Sequence, residues 1–328
     1  MTPEEVMIYP TYEQKHVPLT DPAAVREVFR EGYENGRAAC EYGTAASYIP
    51  ELAKADAAAF GLYAWKKDGE VIDLGDTTTR FSIQSISKVI NLAVALKFIG
   101  FRETFSHVLM EPTGDAFNSI LKLDLVENRP FNPMINAGAI QVMSLLEPEF
   151  SFEELLEFAR AICLDDGIEL NESVYRSEAE TGDRNRAIAW LLKSKEVMKG
   201  DPDRITDLYF KMCSLNVSAK SLAGLGLVLA CEGTNPFTGK HLIAPGYVRT
   251  IKSVMFTCGL YDESGEFGVK VGLPAKSGVG GGIVCAVKGP MGIGTYGPAL
   301  DAKGNSIGGI TALEHIAHRL RLHVFDYT

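Results

Sequence analysis

The chain has 328 residues, 46% hydrophobic and 23% charged, a balance that excludes wholesale disorder and supplies one large apolar core or two smaller ones. Its net charge of -10, with no Lys/Arg cluster, excludes partners such as nucleic acid or an anionic membrane surface, which need concentrated positive charge. Cys40, Cys163, Cys213, Cys231, Cys258 and Cys285 are widely spaced and sit mostly among apolar neighbours, so they read as reduced core thiols, with neither zinc spacing nor a disulfide framework.

The N-terminus opens with acids and has no basic-then-apolar signal pattern, and no run of 18 apolar residues is present, so a cytoplasmic location is expected. In chain order, Asp21-Pro22 supplies a cap and a first-turn proline, and Val25, Val28 and Phe29 recur at helical spacing, predicting a helix over 21–32 that ends near Gly32. Residues 60–65 and 70–74 flank Asp68-Gly69, a pair suited to a tight hairpin turn. A short extended segment, 79–83, leads into Gln84-Ser85-Ile86-Ser87-Lys88. From Ser85 to about Phe98 the pattern is helical, with Gly100 as its stop. Helices are predicted over 152–164, 186–192, 204–212 and 219–231. Strand character returns at 266–273, 282–287 and 291–296, and a helix over 310–322 follows.

Strands, a helical middle, then strands again predict an α+β fold with an antiparallel sheet assembled from both chain ends. The expected sheet domain is 1–84 plus about 240–328, the inserted helical domain about 85–239, with a ligand cleft between them.

Ser85 and Lys88 stand three apart at a predicted helix start, on one face and about one turn from each other. A serine hydroxyl needs a base to act at neutral pH, and a lysine in a partly dry cleft can be that base. Alone, Ser-x-x-Lys is more often a helix cap followed by a solvated lysine. A second motif changes the balance: Lys276-Ser277-Gly278 ends a predicted strand, and serine acyl-transfer enzymes of the penicillin-recognising kind line the far side of their cleft with such a triplet. The glycines that follow do not form a phosphate loop, because the chain continues as a strand and the lysine precedes them. They suit close approach of backbone donors to an oxyanion.

The chain resembles the serine-dependent glutaminases, which share their fold with β-lactamases and penicillin-binding proteins, over roughly residues 45 to 325. The matching segments include Ser47-Tyr-Ile-Pro-Glu-Leu-Ala53, Gln84 to Lys88, Glu111-Pro-Thr-Gly-Asp115 with Phe117-Asn118, and Asn132-Pro-Met-Ile-Asn-Ala-Gly138. They continue with Ser177-Glu178, Gly182-Asp-Arg-Asn185, Tyr209 before Cys213, Cys258-Gly-Leu-Tyr261 and Lys276 to Val279.

The resemblance implies a β-lactamase/transpeptidase-like fold and hydrolysis of free L-glutamine to glutamate and ammonia. Ser85 would be the nucleophile, Lys88 its base, and the N–H groups of Ser85 and Val279 the oxyanion hole. Tyr48, Asn136, Asn185 and Tyr209 would hold the α-carboxylate and Glu178 the α-ammonium, with Gln84 also lining the site. Tyr261 would sit beside the reacting carbonyl. A zwitterionic substrate fits these residue types, since a buried ammonium needs a carboxylate and neutral donors can hold the other end. The family further implies a homodimer or homotetramer.

Taken singly, Asn136 and Asn185 also read as loop residues, Tyr209 as core and Glu178 as a solvated charge. Asp183 and Arg184 read as an ion pair behind the site. His315 and His318 lack a third ligand nearby in sequence, so no metal is expected, and no nucleotide or redox cofactor is suggested. Two rival functions remain open here, a β-lactamase-like esterase or peptidase and a non-catalytic glutamine sensor. An all-helical scaffold is disfavoured by the strand-rich C-terminal third.

Overall fold

The computed structural model of the chain describes residues 16–47, 49–114 and 129–326. Asp21 caps the first helix, α1 (Pro22–Ala39), its carboxylate accepting from Ala24 N at 3.1 Å. The helix runs past Gly32, where the sequence predicted its end. Gly32 is there for packing, since a Cβ at that position would stand 2.8 Å from Ile316 in the last helix. The hairpin forms as predicted, pairing β1 (Gly61–Lys66) with β2 (Val71–Gly75) across Gly69 at φ +91°. The next extended segment yields only β3 (Phe81–Ser82), outside the sheet that the hairpin joins. A 3₁₀ turn at Gln84–Ile86 leads into α2 (Ser87–Val94), then a π-helical turn at Ala95–Ile99, Gly100 at φ +95°, and α3 (Phe101–His107).

The middle of the chain holds α4 (Asn136–Leu146), α5 (Phe152–Cys163), β4 (Glu169–Leu170), α6 (Glu172–Thr181), α7 (Asp183–Ser194), α8 (Pro202–Cys213), β5 (Leu215–Val217), α9 (Ala219–Ala230) and α10 (Pro245–Cys258). Four of these, α5, α7, α8 and α9, match predicted helices. Two that were missed have clear reasons: α4 is buried on almost every side and so has no polar face, while α6 buries only Val174, Ser177 and Glu178 and so has no apolar stripe.

The prediction of a strand over 266–273 is wrong; that segment contains α11 (Ser264–Lys270). Phe267 and Val271 are buried, as either period would allow, but Val269, which alternation would bury with them, is 79% exposed. The strand comes later and carries the triplet itself: β6 (Ala275–Gly278) is followed by β7 (Gly282–Val287), β8 (Met291–Tyr296) and α12 (Ile307–Arg319).

The main sheet has the order β2-β1-β8-β7-β6, antiparallel throughout, with Leu62 opposite Thr295 and Lys276 opposite Val284. Both chain ends therefore build it, while β3, β5 and β4 form a second, small sheet. On one face α1 and α12 cover Leu62, Ile283 and Ile293; on the other α9 packs across β8 and β7, and that core continues through α2, α4, α5 and α8. Each large apolar side chain so buried, Phe29 and Leu62 among them, contributes roughly 1.5–3 kcal/mol. The six cysteines are free and five of them are buried, and no helix among the described residues is long and apolar enough to cross a membrane.

Candidate active site

The turn that carries Ser85 is held in place by the small sheet, through Ile83 N donating to Leu215 O at 2.8 Å. Gln84 adopts φ +50°, a left-handed conformation costing a non-glycine residue of order 1–3 kcal/mol. The turn sits directly against β6 and the loop after it. A Cβ at Gly278 would lie 2.7 Å from Ile83 O and one at Gly280 2.3 Å from Ser82 O, so the glycines permit the approach that brings both motifs together.

Ser85 and Lys88 are both buried, so Lys88 is not a solvated lysine, and Ser85 does not cap α2, whose N-cap is Ile86. Lys88 Nζ donates to Asn136 Oδ1 at 2.6 Å and to Met134 O at 3.2 Å. Burial lowers its pKa to about 8, while Cys213 and Glu178 oppose that shift. Asn136, at the start of α4, connects two further elements: its Nδ2 donates to Asn185 Oδ1 on α7 at 2.9 Å, and its Oδ1 accepts from the Tyr209 hydroxyl on α8 at 3.5 Å.

Glu178 projects from α6 and is 7% exposed, not a solvated charge. Burial pushes its pKa up to about 7, with a Gln84 hydrogen bond and the Lys88 charge pulling the other way. A cavity of about 110 Å³ unites six predicted residues, Gln84, Ser85, Asn136, Glu178, Asn185 and Tyr209. Tyr48 lies outside the described residues, as do Asp115, Phe117 and Asn118.

Tyr261 and Val279 do not line this cavity; Tyr261, in the turn before α11, shares a hydrogen bond with Ser85, and Val279 directly follows β6. The Tyr261 hydroxyl donates to Ser277 O at 3.4 Å. Burial pushes its pKa up to about 12, against hydrogen bonds involving Ser85, Ser277 and the Val279 backbone. Beneath its ring, 4.3 Å from the centroid, lies Lys276 Nζ, which donates to Gly259 O at 2.8 Å and Ser277 O at 2.6 Å. Lys276 is fully buried, and burial together with the Lys88 charge holds its pKa well below the usual lysine range.

Several lining residues were missed. Thr181 follows Glu178 by one turn of α6 and Cys213 follows Tyr209 by one turn of α8, so helical spacing from a named residue would have found both. Arg184 also lines the cavity; the exposed Asp183 pairs with Arg186 at 3.3 Å, so Asp183 does not stand behind the site as expected. His315 bonds to Glu31 at 3.0 Å, tying α12 to α1.

An antiparallel sheet flanked by helices, with a helical insertion and a cleft where a Lys-Ser-Gly edge strand faces a Ser-x-x-Lys turn, is the α+β fold of the β-lactamase/transpeptidase kind. Within that class the sequence is specific: the Glutaminase family model matches residues 43–325, and the chain belongs to the glutaminase family. It is 51% identical over 296 residues to Glutaminase 2 of Clostridium perfringens, covering 89% of this chain and 97% of that relative. Among solved structures it is similar to the probable glutaminase ybaS, with TM-score 0.89 and 36% identity over 94% of this chain and 100% of that one. It is similar also to a Bacillus subtilis glutaminase in covalent complex with 5-oxo-L-norleucine, formed by reaction with 6-diazo-5-oxo-L-norleucine, with TM-score 0.82 and 34% identity over 90% and 98% of the two chains.

Proposed function

We propose that the protein hydrolyses the side-chain amide of free L-glutamine to L-glutamate and ammonia through an acyl-enzyme on Ser85. The observation that carries this reading is the buried carboxylate of Glu178 in the same small cavity as Ser85 and the Asn136–Asn185–Tyr209 cluster. Glu178 offers a charge for the α-ammonium, and the amide and phenol donors suit the α-carboxylate. Tyr48 joins that donor group by the family resemblance. The covalent adduct of the Bacillus subtilis relative supports a nucleophilic mechanism.

Lys88 accepts the Ser85 proton as Oγ attacks the γ-carboxamide carbon, and the carbonyl electron pair moves onto an oxygen held by the N–H groups of Ser85 and Val279. Collapse breaks the C–N bond. The leaving nitrogen takes a proton from Lys88, relayed by the Tyr261 hydroxyl, and departs as ammonia. Water, deprotonated by the same lysine, then cleaves the glutamyl ester and returns Ser85 to its starting state. Lys88 suits both roles because burial holds its pKa near neutrality.

A coupled assay for glutamate and ammonia checks the substrate. Glutamine is expected to be turned over at least about 100-fold more efficiently than asparagine, whose shorter side chain stops the amide short of Ser85. Turnover of nitrocefin with none of glutamine would favour the β-lactamase-like reading, and glutamine binding without ammonia would favour a sensor.

The acid limb of the pH profile gives a further prediction. Glu178, with its pKa raised to about 7, must be ionised to pair with the ammonium, and Lys88, lowered to about 8, must be neutral to take the serine proton. Both steps run in the same direction, so kcat/KM rises as pH increases from 6 to 8.5. Glu178→Gln is expected to raise KM by about 100-fold or more, because an ammonium would be left in the cavity without its countercharge, and to remove the lower step. A pH profile unchanged by that substitution would reject the assignment.

The same reading divides the chain into a sheet domain, 1–84 with about 240–328, and a helical domain, about 85–239, with α9 as the helix through which they share a core. It also includes a homodimer or homotetramer and a cytoplasmic location, the latter supported by the free cysteines.

A further inference from the structure

Two segments carry Tyr261, which shares a hydrogen bond with Ser85, and Val279, whose backbone bonds to Tyr261. One is the turn Tyr261–Glu263, entered with Tyr261 at φ +55°; the other is β6, which carries Ser277 and leads into Val279. A tyrosine in that conformation persists only where its surroundings hold it. Asn305, with no exposed surface, touches both segments with one side chain. Its Oδ1 accepts from Ser277 Oγ at 2.6 Å. Its Nδ2 donates to Glu263 Oε2 at 2.7 Å and reaches Leu260 O at 3.5 Å.

The asparagine is itself fixed by a closed loop, in which Asp301 Oδ1 accepts from Asn305 N at 2.9 Å and Asp301 N donates to Asn305 O at 2.9 Å. Ser264 Oγ closes the tyrosine turn from within, accepting from Leu260 N and donating to Tyr261 O, both at 2.9 Å. None of Leu260, Glu263, Ser277, Asp301 or Asn305 lines the cavity with Ser85. A buried amide that satisfies both its ends across two segments fixes their separation, because losing either bond leaves a polar atom unpaired.

We propose that Asn305 is a positioning residue for the reaction: by clamping Ser277 to the Tyr261 turn, it sets the Tyr261 hydroxyl and the Val279 N–H in one frame around Ser85. This rests on the reading in which Tyr261 and Val279 serve Ser85.

The test reverses the polarity of one bond. Asn305→Asp keeps the acceptor for Ser277 but turns the donor facing Glu263 into a second acceptor, and adding Glu263→Gln restores a hydrogen bond across that gap. Turnover is measured per active site, titrated with 6-diazo-5-oxo-L-norleucine, so that loss of folded protein does not register. Asn305→Asp is expected to lower kcat about 30-fold with KM within about twofold, and the double substitution to recover at least about tenfold, since small misplacements of reacting groups cost rate more than binding. Should Asn305→Asp fail to fold, Ser277→Ala, which removes one bond of the clamp, is expected to lower kcat about tenfold. An unchanged kcat in the variant that folds, a loss expressed mainly in KM, or no recovery in the double variant would overturn the proposal. Ser85→Ala is run alongside: if it stays active, the underlying reading has failed, whereas a dead Ser85→Ala beside a fully active Asn305→Asp rejects the clamp alone.

Discussion

Replacing Ser85 with alanine is expected to lower kcat for glutamine by at least about 10⁴-fold, the scale on which nucleophile removal acts in enzymes with a covalent intermediate. The residue is buried at the junction of the cavity and the β6 edge, so the substitution removes only an oxygen and leaves the turn and its neighbours unchanged. Glutamate should therefore still bind, because Glu178, Asn136, Asn185 and Tyr209 remain in place. Equilibrium binding of glutamate by calorimetry, with ammonia release measured on the same sample, checks both halves. Near-normal ammonia release from Ser85→Ala would sink the serine mechanism, while lost binding would mean that Ser85 shapes the pocket.

Lys88→Met is expected to lower kcat by about 10³-fold or more without lowering thermal stability. The second half follows from burial. Replacing a fully buried cation with an apolar chain of similar volume removes the cost of desolvating the charge, which offsets the hydrogen bonds lost at Asn136 Oδ1 and Met134 O. A lysine kept for the fold would behave in the opposite way, losing stability before rate. The substitution takes a donor from Asn136 Oδ1, whose remaining partner is Tyr209 at 3.5 Å, so a modest rise in KM accompanies the loss of kcat. Lys88→Arg should not rescue, since a guanidinium stays charged at every accessible pH and cannot accept the serine proton. Thermal melts and kcat across pH 6 to 9 for both variants check this, and a kcat above one tenth of wild type in either would rule out Lys88 as the base.

The surrounding architecture shows why some elements were readable and others were not. The Asp68-Gly69 hairpin, β7, β8 and α9 follow from turn chemistry and residue type, which act over a few residues. The segment 266–273 was misread because Phe267 and Val271 satisfy both the strand and the helix period, and only the exposure of Val269 separates them. Helix α4 was missed for a related reason: full burial removes the polar face on which the helical pattern depends, and that burial comes from α2, α7 and α8 packing around it. Among the site residues, Ser85 with Lys88 and the Lys276 triplet stood out as motifs. Glu178, Asn136, Asn185 and Tyr209 did not, because each residue type is commonest elsewhere, and only their joint match to a family marked them.

By itself the sequence determined the residue types that the chemistry needs, the local turns that bear them and the family to which the chain belongs. The tertiary structure alone decided that Asn136 is shared between Lys88 and Asn185, that burial moves Glu178 and Lys88 toward neutral pKa, and that Lys276 and Asn305 brace the Tyr261 turn against β6. Motifs and periodicity reflect forces between near neighbours in the chain. Desolvation, the placing of Ser85 and Glu178 in one cavity and the bracing of the Tyr261 turn by Asn305 depend on how the layers pack, which no local pattern encodes.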